Sequence, residues 1–86
     1  MQVKIVKFKL YPEDDPTGYV VGLSVELDNG RSFYRDSLVN LKDSKGKTDE
    51  EIAQIAYADL KKGIETTAEV EGAKSSIIGE IITNEI

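Results

Sequence analysis

Tyr19-Val20-Val21-Gly22-Leu23-Ser24-Val25-Glu26-Leu27, Asp28-Asn29-Gly30 and Arg31-Ser32-Phe33-Tyr34-Arg35-Asp36-Ser37-Leu38 together decide the fold. Tyr19, Val21, Leu23, Val25 and Leu27 fall on one face of an extended chain, and Val20, Gly22, Ser24 and Glu26 fall on the other. That period of two is the mark of a half-buried strand. Asp28-Asn29-Gly30 is a strong hairpin signal, because Asn and Gly accept the positive φ that tight turns require. Arg31 to Leu38 is then the returning strand. Two registers are open. A two-residue Asn-Gly turn pairs Val25 with Tyr34, whereas a three-residue loop with a bulge at Gly30 pairs Val25 with Phe33. The choice matters, since a slip of one residue exchanges the faces of the strand.

On the N-terminal side, Val3 to Tyr11 reads as a further strand. Val6, Phe8 and Leu10 alternate with Lys7, Lys9 and Tyr11, while Val3 and Ile5 sit in the opposite phase. The expectation is a strand whose start is apolar on both faces. Pro12 ends it, because proline has no amide to give a ladder. Residues 12–18 follow as a loop by their turn chemistry.

Beyond the hairpin, Asn40 to Lys47 is a polar connection. Thr48-Asp49-Glu50-Glu51 is a capping box, with the Thr48 hydroxyl set to accept from the Glu51 amide and the Glu51 carboxylate from the Thr48 amide. Ile52, Ile55, Ala56, Leu60 and Ile64 then recur at helical spacing. The helix is predicted over about 48–63, with an extension to 71 the alternative. Gly63 lies on the apolar stripe, where it either ends the helix or allows close packing. In Ser76 to Ile86, β-branched isoleucines flank Gly79, which favours a strand over an amphipathic helix. The expected fold is α+β, a single domain over 1–86. An antiparallel sheet of three or four strands packs on one main helix, in the order β-β-β-α-β.

Composition sets the outer limits. The chain has 86 residues, 40% hydrophobic and 31% charged. That suffices for one packed core, and a domain of this size buries only about 60% of its unfolded surface. There is no cysteine, hence no disulfide framework, which points to a reducing compartment such as the cytoplasm or to a particle assembled in one. Lys4, Lys7 and Lys9 interrupt any apolar signal-peptide core. No apolar run nears the roughly 20 residues of a membrane span. The formal net charge is −5, opposite to the basic surface of conventional nucleic-acid binders. Direct nucleic-acid binding is therefore not expected.

Histidine is absent as well. Ser-His-Asp and Cys-His nucleophile systems are excluded, as are the usual ligands of structural zinc. Gly46-Lys47-Thr48 has the look of a P-loop ending, but the glycine required five positions earlier is Leu41. Glu13-Asp14-Asp15 suits a hard cation by residue type, yet no further oxygen ligands stand at a defined spacing. The chain is expected to need no cofactor and no metal and to have no catalytic residues.

The run from Gly22 to Phe33, followed by Gly46-Lys47-Thr48-Asp49-Glu50-Glu51-Ile52, resembles small uncharacterised proteins of tailed bacteriophages and prophages. Those chains share a hairpin, a similar helix start and an Ile-rich tail. The resemblance spans most of the chain and brings no catalytic or binding motif with it. It implies a phage or prophage origin, and a place in the host cytoplasm or the virion.

The functional expectation is a non-enzymatic interaction or structural module. It would engage a protein partner or a second copy through a sheet edge or the Ile-rich C-terminal segment. The alternative is an acidic inhibitor that mimics nucleic acid toward a host defence protein. In that case Glu13, Asp14, Asp15, Asp49 and Glu50 would form one acidic surface.

Overall fold

A computed structural model describes residues 1–74. Strands β1 (Gln2–Tyr11), β2 (Gly18–Glu26) and β3 (Ser32–Asn40) form an antiparallel meander in the order β1-β2-β3. A single helical turn, α1 (Leu41–Ser44), leads into the long helix α2 (Asp49–Gly72). The α+β class and the sheet-on-helix arrangement are those expected. The segment Ser76–Ile86, expected as a last strand, lies outside the described residues.

The β2–β3 hairpin adopts the three-residue loop. Leu27 N–H donates to Arg31 C=O at 2.8 Å and Gly30 N–H to Leu27 C=O at 3.1 Å. Gly30 takes φ 88°, the left-handed value such a loop requires at its last position. Val25 therefore pairs with Phe33. Phe33 faces the core, and Tyr34, opposite Ser24, faces away.

In β1 the structure corrects the phase. Pairing runs from Gln2↔Glu26 to Ile5↔Leu23, then resumes one residue later at Lys7↔Gly22. Val6 is the extra residue of a β-bulge, which shifts the face of everything after it. Val3 and Ile5, opposite Val25 and Leu23, thus share a face with Phe8 and Leu10, opposite Val21 and Tyr19. Val6 does not belong with Phe8 and Leu10. The strand is apolar on one face along its whole length, not on both faces at its start.

The core is Val21, Leu23 and Val25 of β2, Val39 of β3, and Ile52, Ala53, Ala56 and Ile64 of α2, all buried. Helix α2 runs unbroken through Gly63, which is exposed. A side chain there would meet nothing within 4 Å, so Gly63 neither stops the helix nor permits a close approach. The capping box forms as read. Thr48 Oγ1 accepts from Glu51 N–H at 3.2 Å and Glu51 Oε1 from Thr48 N–H at 2.9 Å. Gly46, at φ 76°, turns the chain into this cap. The residues with a P-loop look are a helix entry, and the Thr48 hydroxyl is engaged in capping.

Candidate interaction surface

The two edges of the sheet are treated unequally. Helix α2 packs chiefly on β3 and less on β2. The core-side polar residues of β3 are tied to it. Ser37 Oγ donates to Asp59 Oδ2 at 2.8 Å, and Arg35 Nη2 donates to Thr67 Oγ1 at 3.2 Å. Arg35 also lies over the Phe33 ring, 5.0 Å from its centre. At the hairpin end, Asn29 Nδ2 donates to the carbonyls of Glu71 and Lys74, while its Oδ1 accepts from Arg31 N–H. Carbonyls at a helix C-terminus have no partner within the helix, so this one side chain closes the turn and caps the helix end together. Arg31 adds an ion pair to Glu71 at 2.8 Å.

Among the described residues, strand β1 has no such cover. Apart from Val3 and Phe8 its residues are exposed. On the helix side, Ile5 is 54% and Leu10 41% exposed. An open groove of about 260 Å³ runs between β1 and α2, lined by Val3, Ile5, Leu23, Ala53, Gln54 and Tyr57. The bulge is what brings Ile5 and Leu10 to this side together. The sequence did carry a signal of it, the break in alternation at Ile5-Val6-Lys7.

The other face of the sheet is open. Lys4, Lys7, Lys9 and Tyr11 of β1 lie across it from Val20, Ser24 and Glu26 of β2 and from Tyr34, Asp36 and Leu38 of β3. Tyr34 covers the space left by Gly22, where an added Cβ would collide with its ring. The Lys7 ammonium sits 5.7 Å from the centre of that ring, and Lys4 approaches Glu26 at 4.0 Å. A shallow trough of about 430 Å³ is lined in part by Lys9, Tyr11, Val20, Asp36 and Leu38. Of the other tyrosines, Tyr19 leans on Phe8 with ring centres 5.2 Å apart, and Tyr57 borders the groove.

The acids expected to form one surface occupy two places. Glu13, Asp14 and Asp15 are in the β1–β2 loop, and Asp49 and Glu50 are in the first turn of α2. The β1–β2 loop lies at the end of the sheet where β3 runs into α1, and Asp49 and Glu50 follow that connection in the chain. Lys42, Lys45 and Lys47 stand along that connection. Among the described residues no group of three or more acidic side chains is placed to hold a metal ion. Glu51 is held below its ordinary pKa, first by the hydrogen bond from the Thr48 amide, then by the Thr48 side chain and the Lys47 charge, with partial desolvation opposing. Its role is in the cap. Among the described residues no helix is long and apolar enough to cross a membrane.

No family model, curated protein or solved structure matches this chain.

Proposed function

We propose that this protein is a non-enzymatic interaction module that engages a protein partner through the β1 side of its sheet. The observation that carries this reading is the clustering of exposed apolar side chains on one edge strand, with Ile5, Val6, Leu10 and Tyr11 all between 41% and 55% exposed. A monomer gains nothing from leaving such a strand open beside an apolar groove, since the arrangement invites association. The resemblance to phage and prophage proteins fits a role as an accessory or virion component, acting in the host cytoplasm or within the particle.

The test compares the protein with its Ile5→Lys, Leu10→Lys variant by light scattering and by affinity capture in parallel. The expected result is an association present in the parent and lost in a variant that keeps its circular dichroism spectrum. If parent and variant show the same mass and retain the same species, the reading fails. The nucleic-acid-mimic alternative gains no support, because the acids fall in two separate segments and Lys42, Lys45 and Lys47 lie between those segments in the chain.

A further inference from the structure

We infer that the β1 edge receives an extended strand from a different chain, one that alternates apolar and acidic side chains. The inference rests on the reading above and names the partner's chemistry. A strand hydrogen-bonded to β1 would place successive side chains on opposite faces of the enlarged sheet. Those on the helix side would meet Ile5, Leu10 and the groove bordered by Val3 and Tyr57. Those on the open side would lie beside Lys4, Lys7 and Lys9. In a chain of net charge −5, this lysine row is a local exception. Lys9 makes no ion pair among the described residues, and Lys7 rests on an aromatic ring, not on an acid.

The same row argues against a second copy as the occupant. An antiparallel copy of β1 would bring lysines opposite lysines, and like charges directly opposite each other in a sheet are destabilising. Edge lysines and a bulge are the devices by which sheets discourage self-pairing. The bulge at Val6 and the lysines around it therefore select against this chain's own edge while leaving the apolar side open. Selection by repulsion and by attraction together is how strand partners are discriminated.

The probe is a fluorescent peptide of alternating glutamate and valine, as long as β1. The controls are an alternating lysine–valine peptide, a glutamate–serine peptide and a single-stranded oligothymidylate, each titrated against the full chain. The acidic apolar peptide is expected to bind saturably, to shift the amide resonances of β1, and to weaken as salt rises. Lys7→Glu with Lys9→Glu should weaken it about tenfold, because two attractions are lost and the reversed charges repel. Ile5→Ser should weaken it without abolishing the salt dependence.

Equal binding of the lysine–valine peptide, or shifts that avoid β1, overturns the inference. So does a preference for the oligothymidylate that the lysine reversals remove. Protection from exchange, in the isolated monomer, of those β1 amides that point away from β2 also overturns it, since the edge would then be filled by the chain itself. A dimer abolished by Ile5→Lys, with no peptide binding, would overturn the acidic-strand inference and leave the interaction reading standing.

Discussion

Strands β1 and β3 are the two edges of the described sheet, yet the helix packs chiefly on β3 and β1 adds only Val3 and Phe8 to the core. Helix α2 lies over β3, and polar side chains on its inner face, Arg35 and Ser37, each find a partner on the helix. Apolar residues on the corresponding face of β1, Ile5 and Leu10, stay half exposed. The difference is one of coverage, not of composition. Helix α2 lies mainly along β3 and leaves much of β1 exposed. Substitutions on the β3 side should therefore report on stability, and substitutions on β1 on binding.

The largest expected effect comes from the covered side. Ile64 is fully buried, and Ile64→Ala should cost about 2–5 kcal/mol in urea unfolding. Ile5→Ala should cost less than about 1 kcal/mol, since it removes surface that is already half in water. Equal costs would erase the contrast between the edges.

Next is the clamp at the hairpin end. Asn29→Ala removes the side-chain bonds to the Glu71 and Lys74 carbonyls and to the Arg31 amide, and should cost about 1–3 kcal/mol. Asn29→Asp should be worse than alanine at neutral pH, because it sets a carboxylate against carbonyls at the negative end of the helix dipole. Unfolding midpoints in the opposite order would show that Asn29 matters only to the turn.

The N-terminal cap is a smaller lever. Thr48→Ala should cost about 1 kcal/mol. The lowered Glu51 pKa gives the cap a pH dependence. A carboxylate held below its unfolded value contributes stability that is complete above that unfolded value. The contribution fades as the pH falls through the folded value. Acidification should thus fray the first turn of α2, seen as loss of amide protection at residues 49–52, and Glu51→Gln should remove this pH response. The smallest effect has the opposite sign. Gly63→Ala, at an exposed helical position with open space around it, should stabilise by about 0.5–1 kcal/mol.

Much of the architecture was legible because it is written in short-range pattern. The alternation Tyr19-Val21-Leu23-Val25 and the turn chemistry of Asp28-Asn29-Gly30 specify a hairpin through neighbours alone. The Thr48–Glu51 box likewise marks where α2 starts. The extent of α2 was harder to read, since a glycine within a helix costs too little to stop it when residues on both sides are packed or capped. The surface on β1 was only half visible. Its lysines, Ile5 and Leu10 stood in the sequence, but their faces hinged on one inserted residue.

Local sequence by itself determined the class of fold, the three strands and the capped helix, because periodicity and capping act within a few residues. Tertiary structure decided the register of the hairpin, the bulge at Val6 and the bond from Asn29 to the helix end. It also decided which edge of the sheet the helix would cover. Those outcomes depend on groups far apart in the chain competing for one core, and no local pattern records who wins.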